Sequence, residues 1–420
     1  MYIKRKLEDK ILKYLNSPEI IAVVGPRQCG KTTLLKKVFE DFGSSRLNSP
    51  TGPKQAVFAT FEDKNVLSMF ENNLKDFTEM YVKNKKYLFI DEFQYAKKGG
   101  EKLKYIFDLH KIKIFISGSS SVDLTVNTLK YLVGRIFVFN LHPLDFEEFL
   151  SYKDAAYREL FKKFNENFKS LKETEIGKEL HDNFLRYYEE YVIFGGYPRV
   201  VLSESPEEKK EVLKNIYNTY FLREVRDILG LIDDYKLEKL IKGLALQVGN
   251  LIEYKELSRF SEYNYPALKK YLNFLEKTFI CGLIKPYFRN KRIEIVKNPK
   301  VYFFDTGLRN AVVNDFRKLS DRGDGGCLLE NALFQQLVRN NYFCNYWRDK
   351  KGREIDFILK PEGQEELAVE VKSFLEKFKT DAVIKFKELY PAARIVFAYQ
   401  NIKSGLKKEG DFIFCPIYAI

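Results

Sequence analysis

The stretch Gly25-Pro26-Arg27-Gln28-Cys29-Gly30-Lys31-Thr32 constrains this chain more than any other. An apolar run, Ile20-Ile21-Ala22-Val23-Val24, leads into it, and Thr33-Leu34-Leu35-Lys36-Lys37-Val38-Phe39 continues with helical spacing. Buried strand, glycine loop and helix start form the context in which G-x-x-x-x-G-K-[ST] binds phosphate. The glycines let the backbone curl so that successive N–H groups face one anion. The helix N-terminus adds the positive end of its dipole. The loop through Thr33 is therefore expected to hold ATP, with Lys31 reaching the β- and γ-phosphates and the Thr32 hydroxyl on Mg²⁺.

A phosphate loop names a ligand, not a reaction. The apolar run Tyr87-Leu88-Phe89-Ile90 ends in Asp91-Glu92. A strand ending in two acids, downstream of a phosphate loop, fits a Walker B element. Asp91 would hold Mg²⁺, and Glu92 would orient or deprotonate the attacking water. Gln94 is close enough in sequence to contact the same water. Ile112 to Ile116 is another apolar strand, closed by Ser117-Gly118-Ser119-Ser120-Ser121, so Ser117 or Ser119 could sense the γ-phosphate. Arg135 precedes the strand Ile136 to Leu141. It could stabilise the transferring phosphoryl group, from its own chain or a neighbouring subunit, or bind carbonyls at a helix end.

The chain has 420 residues, room for two to four domains. Hydrophobic content of 45% with 31% charged residues suits a soluble globular protein. The net charge of +13 favours an anionic partner: nucleic acid, nucleotide or an acidic surface. Five cysteines, with no C-x-x-C pair, argue for a reducing compartment, and three histidines add little towards a zinc site. With no 18-residue apolar run and no signal peptide, a cytoplasmic location without membrane contact is expected.

Residues 2–18 have apolar spacing for a short amphipathic helix packing on the nucleotide domain. Residues 41–54 read as a loop and 64–83 as helical. From 144 to 236 the pattern is helical and polar, a lid interrupted by Gly195-Gly196-Tyr197-Pro198-Arg199. Residues 237–305 read as helix, helix, turn, helix and hairpin, the order of a winged helix-turn-helix. Lys269 and Lys270 on its second paired helix, with Arg289, Lys291 and Arg292 at the hairpin tip, are the expected DNA contacts. Such a module can also serve as a protein contact or spacer.

Beyond the joint at 321–326, the pattern is that of an αβββαβ unit. Glu370 and Lys372 share a strand face, and Asp356 sits in an otherwise apolar strand, where it needs a partner or a metal. With Glu330 on the preceding helix they could form a Mg²⁺ site with Lys372 beside it, or an ion-pair cluster.

At this length of match the chain resembles the archaeal and bacterial AAA-type P-loop ATPases that end in a domain of unknown function with a PD-(D/E)xK nuclease-like fold. The likeness rests on residues 25–32, Asp91-Glu92-Phe93-Gln94, Ser117-Gly118-Ser119, Gly134-Arg135, Pro143-Leu144, Gly195-Gly196-Tyr197-Pro198 and Tyr302-Phe303-Phe304-Asp305-Thr306-Gly307. In the last domain it rests on Leu329-Glu330-Asn331, Glu354-Ile355-Asp356 and Glu370-Val371-Lys372. Position 355 is isoleucine where an active nuclease of this type carries proline, and no ring-loop motif of hexameric unfoldases is present. The resemblance implies an α/β protein. A P-loop AAA+ type parallel sheet would span residues 1–143, a helical lid 144–236 and a winged helix-turn-helix 237–305. A linker and nuclease-like α/β domain would follow at 306–420. The expected activity is Mg²⁺-dependent ATP hydrolysis acting on DNA. A nucleotide-controlled switch or scaffold for a protein partner, with a silent last domain, is the alternative. A metal-dependent nuclease regulated by the ATPase is a third reading, and a homo-oligomer would let Arg135 act across subunits.

Overall fold

The computed structural model describes residues 2–44, 55–119, 129–170, 172–222, 235–288, 297–360, 365–372, 380–400 and 405–420. The chain divides into two units, residues 1–143 with 277–279, and 144–276 with 280–420.

The first unit is built on five parallel strands: β1 (Ile20–Gly25), β2 (Ala56–Thr60), β3 (Tyr87–Asp91), β4 (Lys113–Ser119) and β5 (Ile136–Asn140). Their order is β2-β3-β4-β1-β5, so β4 lies between the strand that enters the phosphate loop and the strand that ends in Asp91. A parallel sheet needs crossovers that cover both faces, and its strands are apolar throughout. β1 follows this rule, with all six residues buried. Ile21 and Val23 pack on one face with Leu34, Val38 and Ile11, while Ile20, Ala22 and Val24 pack on the other with Leu103 and Ile106. Ile11 belongs to the helix Lys6–Leu12, which is shorter than the residue 2–18 pattern suggested and lies against this core.

In the second unit, segments that the sequence pattern sets apart share one body. Strands β6 (Cys281–Pro286) and β7 (Lys300–Phe303) form an antiparallel pair. They are followed by β8 (Cys344–Arg348), β9 (Glu354–Leu359), β10 (Leu367–Lys372), β11 (Arg394–Tyr399), β12 (Lys407–Glu409) and β13 (Phe412–Pro416). All eight lie in one sheet, ordered β12-β13-β11-β10-β9-β8-β6-β7. The hairpin expected as the wing of a winged helix-turn-helix is an extension of the C-terminal sheet, because β6 pairs in parallel with β8 through Lys285–Asn345 and Pro286–Tyr346.

The expected lid segment joins the same body. His181 Nδ1 lies 2.8 Å from the Tyr418 hydroxyl, Gln336 donates to the Tyr188 hydroxyl at 3.0 Å, and Thr174 bridges to Leu406. The glycine turn is locked there as well. Asp305, buried, accepts N–H groups from Gly196 at 2.8 Å and Leu308 at 2.9 Å. A Cβ at Gly196 would stand 2.1 Å from the Leu144 carbonyl oxygen. This turn is a structural knot, and Arg199 beside it is exposed and paired with Glu208 at 3.2 Å.

Candidate functional site

The C-terminal edge of the first sheet gathers the phosphate-loop and Walker B residues. The loop leaves β1 at Gly25 and re-enters regular structure in the helix Lys31–Ser44. A Cβ at Gly25 would lie 2.0 Å from the Leu141 carbonyl oxygen, so glycine is required where the loop crosses the next strand's end. Gln28 (φ 58°) and Gly30 (φ 98°) take left-handed backbone, which curls the loop. The buried Lys31 ammonium donates to the carbonyls of Gly25 at 2.9 Å and Pro26 at 2.8 Å. Thr32 is half-buried at the helix start and Thr33 exposed beside it. Cys29 is fully buried, and burial pushes its thiol above the ordinary value.

Sequence reasoning missed Arg5. Its guanidinium, buried, donates to the Cys29 carbonyl at 2.8 Å and to the His142 carbonyl at 2.6 Å. It therefore ties the phosphate loop to the turn after β5. No spacing signal marks it, because its partners are backbone carbonyls distant in sequence.

Register places the Walker B residues close by. Ser119 is paired with Gly25 across β4 and β1, and Ile90 with Ile116 across β3 and β4. The Ser117 hydroxyl donates to Asp91 Oδ1 and accepts the Glu92 N–H at 3.3 Å. Gln94 links the rest: its Nε2 donates to Glu92 Oε2, and its Oε1 accepts the Ser119 N–H at 3.2 Å. Glu92 itself has left-handed backbone, φ 54°. A non-glycine residue there costs ~1–3 kcal/mol, a strain that clusters at functional sites. The Ser119 hydroxyl is buried without a hydrogen-bond partner among the described residues. Carboxylate and hydroxyl oxygens are the hard donors Mg²⁺ takes, so Asp91 and Thr32 fit the ion that accompanies a nucleotide.

Arg135 is at the other end of the sheet. It precedes β5, whose first residue pairs with Ile20 at the start of β1, and its carbonyl accepts the Ile20 N–H at 2.8 Å. The length of β1 separates it from the loop by roughly 17 Å at about 3.3 Å per residue. Its guanidinium is paired with Asp108 at 2.9 Å. The structure therefore does not bring Arg135 to the phosphate loop of its own chain. The reason is directional: an arginine before a parallel strand lies at the edge opposite the strands' C-terminal ends.

A second cluster lies in the other unit. Glu330 (helix Gly325–Arg339), Glu354 and Asp356 (β9), and Glu370 with Lys372 (β10) converge, and Lys300, the first residue of β7, sits among them. Lys300 Nζ is 2.6 Å from Glu354, 2.9 Å from Glu330 and 3.8 Å from Asp356. Lys372 Nζ is 2.7 Å from Glu370, and Asp356 Oδ2 accepts the Val371 N–H at 2.8 Å. The Tyr302 hydroxyl donates to Glu330. Burial and the Asp356 charge push Glu330 up to about 7 and Glu370 up to about 8, and burial raises Asp356. Burial opposes the Lys300 ammonium, but the carboxylates of Glu330, Asp356 and Glu354 outweigh it and hold Lys300 above the ordinary lysine value.

The expected metal site on Glu330, Asp356 and Glu370 therefore takes a different form. Among the described residues, no three His, Cys, Asp or Glu side chains are arranged to hold a metal ion. The donors are instead engaged by ammonium groups. Lys300 shares a strand face with Tyr302, and no local spacing marks it because its carboxylates come from distant segments. The neighbouring Asn331 has a structural role, accepting the Phe303 N–H at 2.8 Å and donating to its carbonyl at 2.7 Å.

Of the expected DNA contacts, Lys269 and Lys270 are exposed on the helix Tyr265–Lys277, with Lys269 Nζ 4.6 Å from the Tyr265 ring centroid. Arg289, Lys291 and Arg292 lie outside the described residues. No helix among the described residues is long and apolar enough to cross a membrane.

Comparison with known families gives three matches in chain order. Residues 17–150 match a family model described as an AAA domain, and residues 185–319 and 325–418 match two domains of unknown function (DUF8612 and DUF4143). Relatives include an uncharacterized protein of Methanocaldococcus jannaschii, 26% identical over 87% of this chain and 77% of that one. Another, from Haemophilus influenzae, is 25% identical over 93% of this chain and 92% of that one. Among solved structures, domain III of the Thermotoga maritima replication initiation protein DnaA aligns with TM-score 0.32 and 18% identity, covering 55% of this chain and 90% of that one. The Aeropyrum pernix ORC1 protein in complex with DNA aligns with TM-score 0.30 and 12% identity, covering 75% of this chain and 93% of that one. Both likenesses are too slight to assign a function. The AAA-domain match over residues 17–150 coincides with the five-stranded parallel sheet, its inserted β4 and its phosphate loop.

Proposed function

We propose that the protein is a Mg²⁺-dependent ATPase whose turnover serves DNA. The observation that carries the ATPase reading is the connected group Ser117, Asp91, Glu92, Gln94 and Ser119 at the sheet edge where the Gly25–Lys31 loop begins. In this reading the loop N–H groups bind the phosphates, and the Lys31 ammonium exchanges the Gly25 and Pro26 carbonyls for β- and γ-oxygens. Asp91 and Thr32 hold Mg²⁺, which neutralises phosphate charge when bound. Glu92 takes the proton of the attacking water, Gln94 and Ser117 hold the Glu92 backbone and side chain in place, and Ser117 or Ser119 senses the γ-phosphate. Arg135 contributes only from a second copy of the chain, since its own loop is at the opposite edge. The net charge of +13 and the exposed Lys269 and Lys270 support an anionic partner, for which DNA is the choice.

The test is ATP turnover with and without Mg²⁺, and with single-stranded, double-stranded and forked DNA at two salt concentrations. Stimulation by DNA that weakens in Lys269→Glu/Lys270→Glu supports the full reading. Turnover indifferent to every DNA form removes the DNA part.

One observation favours a second reading, in which the C-terminal domain is catalytically silent and nucleotide controls a protein partner. The Lys300 ammonium stands among the carboxylates that a nuclease would offer to metal. Mg²⁺- or Mn²⁺-dependent DNA cleavage, lost in Asp356→Ala, would restore the nuclease alternative.

A further inference from the structure

We infer that Lys300 is the resident cation of the C-terminal carboxyl cluster and that its ammonium keeps divalent metal out of the native chain. This concerns the C-terminal unit alone and does not depend on ATP turnover.

Four carboxylates face one another here, from the helix Gly325–Arg339 and from β9 and β10. A hard divalent cation would need two or three of their oxygens at about 2.0–2.6 Å. Lys300 Nζ already takes oxygens of Glu354 at 2.6 Å and Glu330 at 2.9 Å, with Asp356 at 3.8 Å. These are charge-assisted hydrogen-bond distances, and the side chain is almost wholly buried. The lysine has no easy exit. Its backbone is paired with Ile284 in the β6–β7 ladder, so its reach is set by the sheet.

The cluster nevertheless carries more acid than base. Glu330, Glu354, Asp356 and Glu370 face Lys300 and Lys372, with the Arg348 guanidinium 3.1 Å from Glu354 Oε2 at the outer side, and Glu370 Oε2 is buried with no hydrogen-bond partner among the described residues. An unpaired buried carboxylate oxygen is costly. Without the ammonium of Lys300, the same oxygens become an open set of hard donors. Lys300→Met leaves an unbranched apolar side chain one atom shorter and removes the charge, so it should turn an ion-pair cluster into a divalent-cation site.

The experiment uses full-length, nucleotide-free protein and Mn²⁺ as the probe, with bound Mn²⁺ read from the loss of the free-ion electron paramagnetic resonance signal. Circular dichroism melts are recorded in parallel. Wild type and Lys300→Arg are expected to bind Mn²⁺ no better than Asp356→Asn does. Lys300→Met is expected to gain one site, at least tenfold tighter than any in wild type, which Lys300→Met/Asp356→Asn loses. Stoichiometric Mn²⁺ binding by wild type that Asp356→Asn abolishes would overturn the inference. So would a folded Lys300→Met that gains no site. If Lys300→Met fails to fold even with Mn²⁺, the wild-type and Asp356→Asn pair decides: equal binding supports the inference and unequal binding overturns it. ATP turnover, measured on the same wild-type preparation, reports separately on the proposed ATPase.

Discussion

Lys31 is the residue on which the proposed nucleotide site turns. Its ammonium is buried and held by two loop carbonyls, so it is already beside the position a phosphate would take. Lys31→Ala should lower ATP turnover at least about 100-fold, as expected when a charge that stabilises the transferring group is removed. Glu92→Gln keeps the side-chain shape and removes the base. It should retain ATP binding while turnover falls by about 100-fold or more, seen as trapped, unhydrolysed nucleotide after gel filtration. Arg5 offers a prediction that no motif suggested. Each hydrogen bond from a charged donor is worth about 1.5–3 kcal/mol, and Arg5 donates to the carbonyls of both Cys29 and His142. Arg5→Ala should weaken ATP binding about tenfold or more by fluorescence titration, and Arg5→Lys should recover part of that loss by keeping one bond. Unchanged affinity in Arg5→Ala would show that the loop holds its shape unaided.

At the scale of elements, sequence periodicity and loop chemistry carried far. The strand before Gly25, the strand ending at Asp91 and the helix after Lys31 stand where a buried run, an acidic end and a helical spacing put them. Ser117 was legible for the same reason, since a hydroxyl closing an apolar strand sits at the strand's end. Arg135 shows what sequence order hides. Both its edge of the sheet and the separation from the loop follow from strand direction, which becomes visible only when all five strands are seen to be parallel. The hairpin after residue 280 illustrates the same limit: local alternation marks two strands but not that β6 also pairs with β8. Lys300 was illegible for a related reason, as its meaning comes from carboxylates on three other elements. These placements predict that Arg135→Ala leaves ATP affinity unchanged. Any loss of turnover in Arg135→Ala should appear only where the protein self-associates, and sedimentation run beside turnover assays at several concentrations checks this. A tenfold loss of affinity in a monomer would contradict the placement.

At the scale of the whole molecule, the chain carries a unit with the AAA-domain match and a second unit in which helices, hairpin and C-terminal sheet share one body. The second unit has its own electrostatic signature. Glu330 and Glu370 are held above the ordinary carboxyl value of 4.5, to about 7 and about 8. A folded carboxyl with a raised pKa keeps a proton that the unfolded chain has released. Its stabilising contribution is therefore full below the unfolded value and is lost as pH rises through the folded one. Melting of the wild type should fall between about pH 5 and about pH 8.5, and Glu370→Gln should flatten that slope. An equal slope in both proteins would place the titration elsewhere.

ATP hydrolysis by purified wild type with Mg²⁺, run beside Lys31→Ala and Glu92→Gln, bears most directly on the central claim. The site described here predicts steady turnover by wild type, no turnover and weak binding by Lys31→Ala, and binding without turnover by Glu92→Gln. Wild type that captures no nucleoside triphosphate, or Lys31→Ala that binds and turns over ATP as wild type does, would contradict it.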